Sequence, residues 1–94
     1  LIRRAFGSRI VDIYASEEAG SVMAWECPEC EGYHLCIDTV VVELLRDGRP
    51  ARPGEEAAVI VTNLFNFTMP MIRYDQGDVV RLSEREPVCG RGLP

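Results

Sequence analysis

Short apolar runs rich in β-branched residues recur along this 94-residue chain, each bounded by turn-forming residues. Residues 9–14, RIVDIY, set Ile10, Val11 and Ile13 among polar neighbours and read as a short strand. Residues 21–26, SVMAWE, enter a second. Thr39, Val40, Val41 and Val42 make a third, with Glu43 facing solvent or ending it. Residues 57–62, AAVIVT, are a fourth, and Val79, Val80 and Leu82 read as a fifth. Asp47-Gly48 is a strong hairpin signal. Pro53-Gly54 places proline and glycine where a type II turn prefers them. Phe65 and Phe67 follow the fourth strand; core is the expected place for both, lining of a ligand pocket the alternative. Helical periodicity is slight. The pattern predicts a mainly β unit with little helix, a small distorted β-barrel or sandwich.

Composition narrows the class. Hydrophobic residues make up 47%, which suits a folded chain of one small domain with a limited core. The net charge of −5 argues against nucleic acid or an anionic membrane as partner. No apolar run approaches the ~18 residues of a membrane span. The opening, LIRRAFGSRI, lacks the features of a signal peptide, so a cytoplasmic location is expected. It begins at Leu1 rather than Met, which reads as a truncated start. All ten basic residues are arginine; there is no lysine.

Four cysteines change the picture further. Cys27-Pro28-Glu29-Cys30 is a tight C-x-x-C knuckle that points both thiols toward one centre. His34 and Cys36 follow, two apart on an expected strand and so on one face. Cys89 lies far off, near the end of the chain. Tetrahedral zinc needs four such ligands and five are present. Buried free cysteines and a structural histidine are the plainer reading. In a cytosolic chain, clustered cysteine is more often a metal site than a disulfide framework.

Two further stretches carry candidate chemistry. Residues 66–80, NFTMPMIRYDQGDVV, run from an apolar segment through Arg73-Tyr74 to Gly77-Asp78 and then a strand. Gly77 suits a tight turn or a close backbone approach. Asp78 is then a carboxylate held on a turn, able to accept two hydroxyl donors. A hairpin corner whose aspartate caps its own backbone is the simpler alternative. Residues 14–20, YASEEAG, read as a loop at the C-terminal end of the first strand, where open α/β sheets place nucleotide sites. Alone, that segment equally reads as an acidic turn capped by Ser16.

Taken together, these segments resemble the adenylate-forming enzymes, and most closely their phenylacetate-CoA ligase branch. Asn66, Met69, Pro70, Ile72, Arg73, Tyr74, Gly77 and Asp78 fit the pattern N-x-x-M-P-x-I-R-Y-x-x-G-D. The resemblance implies that Asp78 binds the ribose hydroxyls of ATP. Residues 14–18 are similar to the family's Y-x-x-[ST]-E loop. By that match Tyr14 stacks on adenine, and Glu18, the catalytic candidate, helps hold Mg²⁺ near the phosphates, in keeping with its preference for hard oxygen ligands. Glu17 stands where many members carry Ser or Thr, so Ser16 is the nearest hydroxyl for the phosphates. Glu43, Gly48, Pro53, Gly54 and Thr62 match a scaffold hairpin.

Some members of the branch carry a C-x(6)-H element and a later C-x-C-G-R, and bind zinc structurally. Cys27, His34 and Cys89 match, but Pro87 replaces the first cysteine of the second element. Cys30 or Cys36 can stand in, and Cys30 is favoured because the knuckle already aims it.

The resemblance implies a single partial domain. Residues 1–20 would end a nucleotide-binding sheet and supply the adenine loop; residues 21–94 would form the β-barrel subdomain with the ribose-binding turn. The first strand would belong to a larger parallel sheet, leaving an edge that homodimerisation or strand addition could cover. The parent would activate an aryl or acyl carboxylate with ATP and pass it from the adenylate to CoA. A glycine-rich phosphate loop and the lysine used in adenylation are both absent here, so the chain alone is expected to be an inactive fragment. The alternative from another class is a small zinc-stapled β module for binding or scaffolding.

Overall fold

Apolar and β-branched runs cut by turn glycines produce, among the described residues, seven strands and one short helix. The protein is represented by a computed structural model that describes residues 1–91. In order these carry α1 (Ile2–Phe6), β1 (Ile13–Ser16), β2 (Ser21–Glu26), β3 (Tyr33–Leu35), β4 (Val40–Arg46), β5 (Arg49–Pro50), β6 (Glu56–Asn63) and β7 (Tyr74–Arg81). One sheet has the order β1-β2-β3 and the other β5-β4-β6-β7, all pairs antiparallel. The mainly β expectation holds, but the sheets stay open and do not close into a barrel. β3 and β5 are three and two residues long, too short to carry a ladder around a closed wall. Among the described residues no helix is long and apolar enough to cross a membrane.

Three local expectations change. The first strand begins at Ile13 rather than Arg9; it pairs antiparallel with β2 and forms one edge of the three-stranded sheet. Tyr14 and Ser16 are therefore strand residues, and the turn is confined to residues 17–20. Gly77-Asp78 is not a turn before a strand. Tyr74 to Arg81 is one strand, and the β6 register jumps from Ala58↔Val79 to Ile60↔Asp75. Gln76, Gly77 and Asp78 bulge out of it, and Gly77 (φ 80) supplies the left-handed residue such a bulge favours. A Cβ there would meet nothing within 4 Å, so the demand is on φ rather than on space. Phe65 and Phe67 are exposed, at 64% and 86%, because the segment that carries them leaves the sheet after Asn63.

The turn chemistry follows the sequence closely. Asp47 (φ 51) and Gly48 (φ 76) are both left-handed, as a type I′ turn between β4 and β5 requires. Gly54 (φ 85) sits in a turn closed by the Glu55 N–H donating to Arg52 O at 3.0 Å. Arg49 clamps this corner, giving two bonds of 2.8 and 2.9 Å to the Glu55 carboxylate, which also accepts from Arg52 N at 2.8 Å. The Arg49 hydrogen bond, then the Arg52 N–H, bring the Glu55 carboxyl down to about 2. A depressed folded pKa stabilises above the unfolded value and is lost as pH falls through the folded one. Stability contributed by Glu55 is thus expected to fade between pH 4.5 and about 2. Glu55→Gln should flatten that part of a melting-temperature profile; an unchanged slope would remove the pair from the acid response.

The core lies where the sheets meet. On β6, Ala57, Val59 and Val61 alternate inward, the period-2 pattern of a half-buried strand. They face Val40 of β4, Met23 of β2 and Ala19 of the first hairpin, with Tyr14, Val42, Leu44 and Val80 around them. Away from this cluster the sheets diverge over a cleft of about 1040 Å³ that runs past Met23, Val59 and Val80 to His34 and Cys27.

Asn63, at the end of β6, bonds the two halves. Its amide donates to Ala19 O, and its Oδ1 accepts from Phe65 N and Asn66 N, both at 2.7 Å. Asn63→Ala is expected to cost about 1–3 kcal/mol, the sum of modest net hydrogen-bond terms. Urea unfolding measures this, and a wild-type midpoint would mean that water replaces these bonds without loss.

Candidate functional site

Tyr14 and Ser16 alternate on β1 and so face the same way. Opposite them stand Asp78 and Gln76 from the β7 bulge. The Tyr14 hydroxyl donates to Asp78 Oδ2, and Ser16 Oγ lies 3.1 Å from Gln76 Oε1 as its donor. Residues 60 or more positions apart in sequence thus meet as two parallel pairs that bridge the sheets. Ser16 Oγ also accepts from Ala19 N at 3.0 Å, capping the turn that follows. Burial, then the bond to Asp78 and its charge, push the Tyr14 pKa up, so Tyr14 stays a neutral donor. Glu18 is not part of this arrangement; it lies on the exposed turn after Ser16.

Arg73 enters β7 in the left-handed region (φ 48), uncommon for a side chain this large. Its N–H donates to Thr62 Oγ1 at 3.0 Å, and its Nε donates to Glu43 Oε2 at 2.9 Å. Two anchors on neighbouring strands therefore hold the residue that aims β7 into its bulge. Glu43 neither ends its strand nor stays unpaired in solvent, since β4 runs on to Arg46.

The second locus borders the cleft, which Cys27, Cys30 and His34 line. Cys27 ends β2, Cys30 follows on the knuckle, His34 comes from β3, and Cys89 arrives from the end of the described chain. One ligand atom from each lies within 4.8 Å of all the others. Cys36 is not in the group. Cys27 and His34 are 2% and 3% exposed, so the ligand atoms sit out of bulk water. Cys89 Sγ is 3.3 Å from His34 Nε2, which fixes the ring nitrogen that faces inward. Three sulfurs and one imidazole suit zinc, and the spacing needs to contract only slightly to reach the ~3.8 Å edges of a tetrahedron with bonds of about 2.3 Å.

Two of the three thiols are shifted toward thiolate and the third away from it. Burial pushes Cys27 up, but the Glu29 N–H, the Cys30 and His34 side chains and the Cys30 N–H together bring it down to about 6. The Arg91 N–H leads the effects that lower Cys89, with burial opposing. Burial leads in raising Cys30. Thiolate is the form that binds metal.

Several residues of these loci carry no sequence signal of their own. Gln76 and Asn63 read as ordinary polar residues at a turn and a strand end. Trp25 and Arg91, which pack beside the cysteine and histidine group, lie 66 positions apart; only the proximity of Arg91 to Cys89 hinted at either.

No family model matches the chain. It is similar to the phenylacetate-coenzyme A ligase of Escherichia coli, 35% identical over 85 residues, which is 86% of this chain and 20% of that protein. It is also similar to the phenylacetate-coenzyme A ligase of Thermus thermophilus, 30% identical over 94 residues, covering 96% of this chain and 21% of that protein. The chain spans about a fifth of the length of the curated relatives it matches. It therefore has a partial relationship, across nearly all of its own length, to the phenylacetate-coenzyme A ligase family.

Proposed function

We propose that the chain is part of an ATP-dependent acid–CoA ligase, where it supplies the nucleoside side of the nucleotide site on a β unit stapled by zinc. The observation that carries this reading is the meeting of Tyr14 and Ser16 with Asp78 and Gln76 across two sheets. In that role the second Asp78 oxygen accepts a ribose hydroxyl while Tyr14 keeps the carboxylate in place. The half-buried ring of Tyr14 offers a face to adenine. Glu18, on its exposed turn, is free to approach Mg²⁺ held by the phosphates. In the parent reaction, a carboxylate oxygen attacks the α-phosphorus of ATP and expels pyrophosphate. The CoA thiol then displaces AMP from the acyl-adenylate. Cys27, Cys30, His34 and Cys89 would hold the zinc, whose part is to fix the fold.

The test is AMP titration of the zinc-loaded chain, followed by protein NMR. Weak binding, with a Kd of about 1 mM, is expected, with shifts at Tyr14, Ser16 and Gln76. Asp78→Ala should abolish them. An absence of shifts in a zinc-loaded, folded wild type would refute the nucleotide role.

That outcome would favour a second reading, a zinc-stapled β module for binding or scaffolding. One observation supports it: Cys27, Cys30, His34 and Cys89 gather at a single point.

A further inference from the structure

Three thiolates and a neutral imidazole around a divalent cation leave one negative charge in excess. The ligand atoms of Cys27 and His34 are buried. A buried net charge is costly unless another group compensates it. Arg91 is placed to do so. Its Nη1 is 3.8 Å from Cys27 Sγ and 3.4 Å from Glu29 Oε2. Gly90 (φ 73) turns the chain between Cys89 and Arg91, so that one turn brings both the fourth ligand and the cation to the group.

The guanidinium is also held from the other side. Its Cζ lies 5.4 Å from the centre of the Trp25 ring, within range of a cation–π contact. Trp25 pairs with His34 across β2 and β3, and the two rings are 5.1 Å apart at 41°. Arg91, Trp25 and His34 therefore form one stack that begins on a charge and ends on a ligand.

We propose that Arg91, held against Trp25, is the positioning residue of the metal centre, compensating its excess negative charge and shielding the Cys27 and Cys89 thiolates. This rests on the zinc reading of the four ligands. A planar, weakly hydrated guanidinium can lie on the indole and still reach the Cys27 sulfur. Glu29 keeps it from swinging to solvent. The arrangement controls how tightly zinc is retained and how readily the thiolates react.

The experiment compares wild type, Arg91→Gln, Arg91→Lys and Trp25→Phe, each loaded with one equivalent of zinc. Native mass spectrometry gives stoichiometry, chelator competition gives zinc affinity, and iodoacetamide gives thiolate alkylation rate at full occupancy. Wild type is expected to hold one zinc per chain. Arg91→Gln should still load one zinc but bind it about tenfold more weakly and alkylate about tenfold faster, the usual scale for an outer-sphere partner. Arg91→Lys should recover most of the affinity by restoring charge, and Trp25→Phe should lie between. Wild-type affinity and alkylation rate in Arg91→Gln would overturn the proposal while leaving the zinc reading intact. So would an Arg91→Lys variant as defective as the glutamine one. A wild type that binds no zinc would overturn the zinc reading and this proposal together.

Discussion

Stripping zinc with a chelator, or replacing Cys27 with Ser, is expected to lower the thermal midpoint by about 15 °C or more, at roughly 4–8 °C per kcal/mol for a domain of this size. The reason is how little else holds this side of the molecule. The largest fully buried side chains are Met23, Val40, Val59, Val61 and Cys27, and apart from Cys27 they cluster where the sheets meet. β3 has three residues, and residues 82–91 form no strand or helix. That tail meets β2 and β3 through Cys89, in the group with Cys27, Cys30 and His34, and through Arg91 on Trp25. Structural zinc contributes an apparent 10–16 kcal/mol or so in zinc-finger peptides, which fold only with metal. A smaller effect is expected here, because β4, β6 and β7 keep their own ladder and their share of the core. Loss should therefore be uneven. Hydrogen exchange should rise at Tyr33–Leu35 on chelation and stay low along Val59–Val61. An unchanged midpoint and uniform protection after chelation would mean that the cluster carries no metal or that the metal holds nothing.

Some of this was legible in the sequence, for physical reasons that can be named. β4 and β6 announce themselves by consecutive β-branched residues, and β2 by a short apolar run between turn signals. Asp47-Gly48 and Pro53-Gly54 dictate their turns through residues that tolerate the backbone angles required. The bulge at Gln76-Gly77-Asp78 was not legible as such. Four polar or small residues in a row, Asp75 to Asp78, break the alternation and read as a turn, and only pairing with β6 reveals a continuous strand. The start of β1 was misplaced because Ile10 and Val11 look like strand residues. They are exposed at 52% and 47%, and the ladder begins where β2 supplies a partner. Phe65 and Phe67 were expected inside on hydrophobicity alone, which is a one-way rule. The gathering of Cys27, Cys30, His34 and Cys89 had a spacing signal. The stack of Arg91 on Trp25 had none, since a cation and an indole 66 positions apart leave no pattern in a chain.

Met23→Ala is expected to be the most damaging substitution away from the cysteines, costing about 2–5 kcal/mol as methionine-to-alanine changes do in closed cores. Met23 is 0% exposed and comes from β2, yet its neighbours Val40, Val59 and Val61 belong to the other sheet. It is therefore the main apolar contact between sheets that otherwise diverge over the cleft. Removing it leaves a void that the β1–β2 hairpin can fill only by moving. That hairpin carries Tyr14 and Ser16, whereas Asp78 and Gln76 ride on β7. A shift of even 1 Å would lengthen both cross-sheet bonds, so the damage should extend from stability to geometry. Two measurements separate these effects. Urea unfolding gives the loss of stability. The Tyr14 hydroxyl reports the geometry, because release from Asp78 removes a cause of its raised pKa. The expected result is a lowered unfolding midpoint together with a lower Tyr14 pKa in the still-folded variant. Met23→Leu, which nearly conserves volume, should restore both. A destabilised Met23→Ala protein with an unmoved Tyr14 titration would mean that the Asn63 bonds, not the core, hold the hairpin in register with β7.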